Sequence, residues 1–267
     1  EGDGSGGVRL SSKQFDGKFV VLSADEFRLD HEARDSQKWI TEMKFSPNGA
    51  YLAVGSFDNR IYIYDAGDGY RLSSMIAQHN SYITHFDFSA SSQYLMSNCG
   101  AHELCFFEAD TGMHIPAASR LKDVKWGTQT SPLSWVTSGI WPPQADGTEL
   151  TACDANLANA HGQFVIASGD NFGRLSLWRY PAVGENGLPK GQRYYGHSAH
   201  VTKVRWASGD SHLLSISAHD RAVFQWAHNG DDLAHADEAE AKPFAALDAD
   251  GTGEGEGAAG AGGAAAA

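Results

Sequence analysis

The chain has 267 residues, of which 42% are hydrophobic, and its formal net charge at pH 7 is −13. No run approaches the roughly 18–20 apolar residues of a membrane span, and no basic-plus-apolar signal peptide opens the sequence. The negative net charge argues against nonspecific binding to nucleic acid or to an anionic membrane, because both need a basic patch. We therefore expect neither as a partner.

The three cysteines, Cys99, Cys105 and Cys153, are odd in number and lie in strand-like runs. This usage predicts reduced, buried, structural thiols in a cytosolic protein. No CxxC pair or Cys/His cluster has the spacing of a zinc site. The sequence therefore predicts no metal and no cofactor.

The beginning of the chain predicts a flexible leader followed by part of a sheet. Residues 1–17 start with a glycine-rich run that is typical of a linker. Two short strands are then predicted at Phe19 to Leu22 and at Phe27 to Glu32. Because no inner strands precede them, they indicate the outer half of a β-propeller blade.

The next segment is a complete four-stranded repeat. Trp39 to Phe45 alternates apolar and polar residues, and Ser46 to Gly49 (SPNG) is a turn in which proline fixes φ and glycine accepts positive φ. Asp58-Asn59 predicts a tight turn, and Tyr64-Asp65 stands where Trp-Asp stands in a WD repeat. The three further strands are predicted at 51–55, 60–65 and 70–77.

The following repeat opens at Gln78-His79, a variant of the Gly-His pair, but it lacks a turn aspartate at Ala101 to Glu103. We predict its strands at 82–88, 94–97 and 104–107, with an outer strand within 114–126. An insertion at 127–150 then interrupts the rhythm, with too much proline for a blade strand. Its apolar residues Trp135, Ile140 and Trp141 are candidates for binding a partner; the alternative is an insertion folded onto the side of the propeller.

Two more repeats follow the insertion. The first has strands predicted at 151–157, 164–168 and 174–180 and a loop at 184–191; the second opens at Gly196-His197, with strands at 201–206, 213–217 and 222–226. The first strands end near Phe45, Phe88, Ala158 and Trp206, so two of the three steps are close to the about 40–45 residues of a WD blade. The sequence thus predicts an all-β WD-repeat β-propeller over 18–228, with about four and a half blades of a larger ring.

The remainder, residues 229–267, is an acidic tail rich in alanine and glycine that cannot bury enough apolar area to fold alone. Asp248 to Gly253 resembles the start of a calcium loop, but its twelfth position is Ala259 instead of a bidentate glutamate. A calcium site is therefore not expected.

Five polar or aromatic residues invite a catalytic interpretation but are predicted to be structural. In a WD blade the Gly-His histidine bonds the turn aspartate beside a strand aromatic, which satisfies buried polar groups. His197 and His200 lie on a strand and loop, where a spacing of three does not direct both rings to one metal. No GxSxG, P-loop or paired carboxylate motif occurs, so we expect no enzyme. The five structural blade residues are Asp58, His79, His197, Asp220 and Trp226.

Some stretches go beyond a generic WD repeat, namely residues 51–65 (YLAVGSFDNRIYIYD), 79–108, and 139–153 (GIWPPQADGTELTAC) running on to 169–181. With the last repeat they resemble the echinoderm microtubule-associated protein-like family, at the C-terminal end of its tandem-propeller region. The GIWP-then-DGT segment is the most specific part, because ordinary WD proteins lack it.

The resemblance implies a non-enzymatic structural protein of the cytoplasmic cytoskeleton. Its implied partners are tubulin or microtubules and other cytoskeletal or axonemal proteins, with a place in the cilium for some members. The family's hydrophobic motif, N-terminal coiled coil and basic segment are absent from this sequence. A general WD-repeat scaffold or adaptor for a soluble complex therefore stays open as the alternative.

Overall fold

The computed structural model describes residues 17–141, 149–157, 164–183 and 191–228. These residues form sixteen β-strands and two short 3-10 helices, so the prediction of an all-β propeller chain is confirmed. No described helix has the length and apolar character that a membrane crossing requires. Almost all of the predicted leader and of the loop at 184–191, and the whole tail at 229–267, lie outside the described residues.

The strands form five antiparallel sheets in which consecutive strands pair, and we name these sheets the half-blade and the first to fourth blades. The half-blade is β1 (Phe19–Leu22) and β2 (Leu29–Ala33), and the first blade is β3 (Ile40–Phe45), β4 (Tyr51–Ser56), β5 (Ile61–Asp65) and β6 (Arg71–Ile76). The second blade is β7 (Ile83–Phe88), β8 (Tyr94–Cys99) and β9 (Leu104–Glu108). The third is β10 (Leu150–Ala155), β11 (Val165–Asp170), β12 (Arg174–Arg179) and β13 (Gly191–Tyr195), and the fourth is β14 (Lys203–Trp206), β15 (His212–Ser217) and β16 (Ala222–Ala227).

The second blade lacks the outer strand that the sequence predicts within 114–126. In this fully described segment only two isolated bridges form, Phe107 with His114 and Ser89 with Trp126, together with the 3-10 helix Ala118–Leu121. Pro116 disfavours strand formation there, because it has no backbone N–H to donate to a neighbouring strand. The segment instead covers the sheet with apolar side chains, packing Leu121, Val124 and Trp126 around Met96 and Phe106.

The third blade has an outer strand that the sequence analysis missed. The sequence predicts a loop up to Gly191, whereas β13 begins at Gly191 and pairs with β12. The backbone approaches the Trp178 ring so closely that a Cβ at position 191 would lie 2.4 Å from the ring. Glycine therefore permits the pairing, and the run GQRYY carries no apolar alternation that could have revealed it.

Apolar side chains pack between neighbouring sheets, as expected for blades stacked face to face. Phe19 of the half-blade packs among Leu52, Val54 and Tyr64 of the first blade. The other two clusters between blades are Ala53, Ile61 and Ile63 with Ile83, Phe86, Phe88, Leu95 and Phe107, and Ala167, Leu175 and Leu177 with Val201, Val204 and Leu213.

Charged side chains of the inner strands meet at the centre of the fold. Glu42 of β3 accepts a hydrogen bond of 3.0 Å from Arg205 of β14 and also pairs with Lys203. The Glu42 side chain is buried, with 7% exposed, whereas those of Lys203 and Arg205 are 34% and 37% exposed. These ion pairs join the first and fourth blades across more than 160 positions of sequence, which shows that both inner strands face one centre.

Candidate functional site

The predicted blade residues of the fourth blade form one chain of hydrogen bonds. Trp226 Nε1 donates to Ser215 Oγ over 2.8 Å, and the same Oγ lies 2.8 Å from His197 Nε2. His197 Nδ1 lies 2.9 Å from Asp220 Oδ2, which also accepts the backbone N–H of Ser198. The chain joins the loop before β14 to the turn between β15 and β16.

This connection of serine, histidine and aspartate has the topology of a hydrolytic triad, so its exposure decides what it can do. Ser215 is 0% exposed and its hydroxyl already binds Trp226. A buried hydroxyl cannot reach a scissile carbonyl. The arrangement therefore satisfies buried polar groups, and we propose a structural role for these residues.

The equivalent turn of the first blade uses other partners. Asp58 accepts hydrogen bonds from the hydroxyls of Tyr62 (2.7 Å) and Ser36 (3.1 Å) and from the backbone N–H of Arg60 (3.2 Å). Ser36 thus occupies the place that histidine takes in the fourth blade. Asp58 was recognisable in the sequence but Ser36 was not, because no Gly-His pair marks that position.

In the second blade, Glu103 takes the place of the missing turn aspartate. It accepts the backbone N–H of Asn80 over 3.0 Å, as Asp220 accepts that of Ser198. His79 Nε2 lies 2.6 Å from Ser97 Oγ, but His79 Nδ1 is 3.5 Å from Glu103 Oε2 and has no hydrogen-bond partner. The motif Ala101-His102-Glu103, parallel to Ala218-His219-Asp220, was the signal that could have identified Glu103.

The third blade contains three further residues of this kind, namely Ser168, Asp170 and Trp178. Trp178 Nε1 donates to Ser168 Oγ over 2.9 Å, in the manner of Trp226 and Ser215. Asp170 binds the Arg174 guanidinium at 2.7 Å and the backbone N–H groups of Phe172 and Arg174. All three belong to the WD-like stretch ASGDNFGRLSLW, so the pattern was visible in the sequence.

The start of the insertion is buried beside the second blade. Gln129, Thr130 and Ser131 are at most 1% exposed. Asp87 of β7 accepts the backbone N–H groups of Thr130 (3.0 Å) and Ser131 (2.8 Å), and it pairs with Lys44 at 2.9 Å. Burial opposes ionisation of Asp87, but Lys44 and the hydrogen bonds outweigh it and lower its pKa below the ordinary range. The ionised carboxylate therefore fixes the passage from the second to the third blade.

The three candidate partner-binding residues differ in accessibility. Ile140 is 1% exposed and packs with Cys153, Ile166 and Trp178, so its side chain cannot contact a partner, contrary to the expectation. Trp141 is half-buried and donates its Nε1–H to the carbonyl of Pro132. Trp135 is 37% exposed and stacks on Phe106 at 5.7 Å. The remaining insertion residues 142–148, including Pro142, Pro143 and Asp146-Gly147, lie outside the described residues.

A surface that the sequence analysis missed is the aromatic patch, which we define as Trp39, Phe57 and Tyr82. Its ring centroids lie 5.7 Å (Trp39 to Phe57) and 4.5 Å (Phe57 to Tyr82) apart, and the second pair is stacked at 7°. The three residues are 53%, 38% and 39% exposed, respectively. Tyr82 also borders a cavity of about 340 Å³ that Trp141 lines. Grouped, exposed aromatic side chains are frequent anchors of protein interfaces.

Metal binding by the fourth-blade histidines receives no geometric support. The rings of His200 and His219 pack edge-to-face at 4.5 Å, and both ring nitrogens of His197 lie within hydrogen-bonding distance of protein oxygens. The calcium-like stretch at Asp248 to Gly253 lies outside the described residues. The described residues do bring His79, Cys99 and Glu103 together, at a spacing that the sequence analysis did not recognise.

Comparison with known proteins places this fold in a family. Residues 7–228 match the family described as the echinoderm microtubule-associated protein second beta-propeller. The chain is 36% identical over 213 residues to echinoderm microtubule-associated protein-like 2 of Rattus norvegicus, covering 79% of this chain and 32% of the relative. It is 37% identical over 216 residues to echinoderm microtubule-associated protein-like 4 of Xenopus tropicalis, covering 79% and 22%. The chain thus spans about a third or less of these relatives.

Two further matches agree with this placement. The 77 kDa echinoderm microtubule-associated protein of Lytechinus variegatus is 36% identical over 215 residues, which cover 79% of this chain and 31% of the relative. The crystal structure of the Cps50 (Swd1) β-propeller domain of Myceliophteria thermophila superposes with a TM-score of 0.52 at 15% identity, over 80% of this chain and 60% of that chain. At that identity the structural match supports the propeller fold alone.

Proposed function

The chain belongs to the echinoderm microtubule-associated protein second β-propeller family, and from this membership we propose that it is a non-enzymatic propeller segment that binds tubulin in microtubules. The relatives quoted above carry microtubule association in their names. The observation that carries the proposal on this chain is the aromatic patch, an exposed surface suited to a protein partner. We propose the cytoplasmic cytoskeleton as its location, and the ciliary axoneme as the narrower one.

Charge limits the kind of contact that this surface can make. With a net charge of −13, the chain is not drawn by long-range attraction to the acidic microtubule surface. Binding would rest on desolvation of Trp39, Phe57 and Tyr82, with exposed Trp135 as a second anchor. These contacts are short-ranged, and added salt screens the repulsion between the two acidic surfaces, so the affinity should not fall between low and moderate salt.

Co-sedimentation of the full chain with polymerised tubulin tests the proposal. We expect Phe57→Ala to weaken binding about tenfold, because it removes the central ring of the patch. Phe172→Ala is the matched control, since Phe172 is 59% exposed in the corresponding turn of the third blade, outside the patch. Equal losses in both variants would show that the patch is not the contact.

The same assay separates the proposal from its alternative. A chain that stays in the supernatant at every tubulin concentration would refute microtubule binding and favour an adaptor of soluble complexes. For the axonemal location, a fluorescent full chain expressed in ciliated cells should line the axoneme. A signal confined to cytoplasmic microtubules would refute that narrower proposal.

A further inference from the structure

The second blade contains a cluster of three metal-ligating groups, His79, Cys99 and Glu103. The Cys99 Sγ lies 3.0 Å from Glu103 Oε2, and His79 Nδ1 lies 3.5 Å from the same oxygen. One ligand atom from each residue lies within 4.8 Å of the other two. A tetrahedral zinc ion with bonds of about 2.0–2.3 Å separates its ligands by about 3.3–3.7 Å, so small side-chain shifts would bring these atoms onto one ion.

The histidine is oriented for a ligand that the protein itself does not supply. The His79 side chain is fully buried, and its Nε2 is fixed by Ser97 Oγ at 2.6 Å. Its Nδ1 has no hydrogen-bond partner among the described residues although it points toward Glu103. A histidine whose second nitrogen is held by a neighbour while the first is unpartnered has the usual arrangement of a metal ligand.

Comparison with the fourth blade isolates what is special about this cluster. There Asp220 approaches the histidine Nδ1 to 2.9 Å, and Ser217 stands at the position of Cys99. In the fourth blade, six residues (217–222) separate the paired residues Ile216 of β15 and Val223 of β16. In the second blade, five residues (99–103) separate the paired residues Asn98 of β8 and Leu104 of β9. In the second blade, therefore, no histidine–aspartate hydrogen bond forms. The longer side chain of Glu103 and the thiol of Cys99 instead lie around the unpartnered Nδ1 of His79.

The three groups are of the kinds that zinc accepts as ligands, namely an imidazole nitrogen, a cysteine sulfur and a carboxylate oxygen. The Cys99 thiol donates its hydrogen bond to Glu103 Oε2, so this proton must leave when a metal binds.

We propose that His79 Nδ1, Cys99 Sγ and a Glu103 carboxylate oxygen bind a Zn²⁺ ion in the second blade. On binding, a bond forms between the metal and the Cys99 sulfur, the S–H bond breaks, and the proton leaves to the solvent. Glu103 is partly exposed, with 29% of its side chain accessible, which opens the cluster to water and leaves room for a fourth, solvent ligand. This ion would bridge the loop before β7 to the turn between β8 and β9.

Titration of the metal-free full chain with Zn²⁺ against a chromophoric chelator tests the site. We expect one ion per chain at this site, and Cys99→Ser, which introduces the fourth-blade residue, should weaken binding at least about tenfold. Cys105→Ser is the matched control, because Cys105 lies in the same blade outside the cluster. Thermal melts without metal verify that both variants fold.

Cobalt supplies a second readout that a merely structural cysteine would not produce. Co²⁺ bound to the full chain should show a sulfur-to-cobalt charge-transfer band that disappears in Cys99→Ser and persists in Cys105→Ser. If Cys99→Ser is unfolded, Glu103→Gln should weaken Zn²⁺ binding by a similar factor while it preserves the shape of the turn. Equal Zn²⁺ affinity of the wild type, Cys99→Ser and Glu103→Gln, or a cobalt spectrum without the thiolate band, would overturn the proposal.

Discussion

The second and fourth blades both have three strands, yet one face of the sheet is covered in the second blade and exposed in the fourth. In the second blade Met96 and Phe106 are 0% and 3% exposed, because Leu121 and Trp126 of the following segment cover them. In the fourth blade the corresponding face presents Leu214 and Ile216, each 39% exposed, and Val223, 69% exposed. The segment that follows the second blade therefore closes this face, whereas the corresponding side chains of the fourth blade are exposed.

The two blades also differ in how they anchor their histidines. The fourth blade completes the chain from Trp226 through Ser215 and His197 to Asp220. In the second blade Phe107 stands in place of the tryptophan and cannot donate, while His79 and Glu103 form no hydrogen bond. The second blade thus has a covered face without a complete polar chain, and the fourth blade has a complete polar chain with an exposed face, so neither feature requires the other.

The largest expected effect comes from Asp87→Ala, which would separate the second blade from the insertion that covers it. The substitution leaves Lys44 and the backbone N–H groups of Thr130 and Ser131 without their shared acceptor. Removing one partner of a buried ion pair costs about 3–5 kcal/mol of unfolding free energy. Urea denaturation measures the loss, with exposed Asp110→Ala as the control within about 0.5 kcal/mol. A loss for Asp87→Ala no larger than that of the control would contradict this account.

The next effect tests the polar chains directly, using the serine of each blade. Ser215→Ala removes two hydrogen bonds and leaves His197 Nε2 and the Trp226 indole N–H without their partner, at a cost of about 2–4 kcal/mol. Ser97→Ala removes only the bond to His79 and should cost about half as much. Urea unfolding curves of the two variants provide the measurement. Equal losses of unfolding free energy in the two variants would mean that the hydrogen bond from the Trp226 indole to Ser215 does not stabilise the fourth blade.

Elements with local signals were predictable from the sequence. The SPNG turn works as expected because Gly49 has a φ of 71°, and Asn59 in the next turn has a φ of 69°. The alternating runs of β3, β4 and β5 lie within one or two residues of their predicted bounds. Gly196-His197 and Asp220 were likewise visible, because WD blades repeat their polar residues at recognisable positions.

The sequence could not predict features that depend on residues distant along the chain. Asp87 binds Thr130 and Ser131, 43 and 44 positions away, and no local periodicity marks such a pair. Ile140 was a candidate because it belongs to the apolar residues of the insertion, whereas tertiary packing buries it. The aromatic patch assembles from three loops, so only the fold brings Phe57 and Tyr82 together.

A smaller effect should appear on acidification, through His85 at the centre of the fold. Burial, with Lys203 of the fourth blade and Lys44 nearby, lowers the pKa of His85 to about 3. The unfolded chain binds this proton near the ordinary value of 6.5. Stability is therefore lost as the pH falls from 6.5 towards 3, with a limiting slope of about 1.4 kcal/mol per pH unit.

The variant His85→Gln isolates this contribution. Between pH 7 and pH 5 the wild type should lose about 1–2 kcal/mol more unfolding free energy than the variant. Asp154 acts in the opposite direction, because burial raises its pKa to about 6, but it is present in both proteins. Urea unfolding at the two pH values provides the measurement, and parallel losses would exclude His85 as the group responsible.

The smallest effect on stability, but a clear one on association, is expected from Val223→Glu in the uncovered face of the fourth blade. Val223, Ile216 and Leu214 form an exposed apolar surface on one side of the sheet, and such surfaces drive association in water. We expect the full chain to self-associate through this face and the variant to shift towards monomer. Because position 223 is already solvated, the unfolding free energy should change by less than about 0.5 kcal/mol.

Sedimentation velocity over a concentration series measures the shift. Tyr195→Glu is the matched control, since Tyr195 is 70% exposed but lies in β13, away from the fourth-blade face. If Val223→Glu reduces association and Tyr195→Glu does not, the chains associate through the exposed face of the fourth blade. The second and fourth blades would then differ in what their faces contact, and not only in sequence. A monomeric wild type with a cooperative melt would instead show that three exposed apolar side chains are too few to cause association. The difference between this face and the covered face of the second blade would then have no effect on assembly.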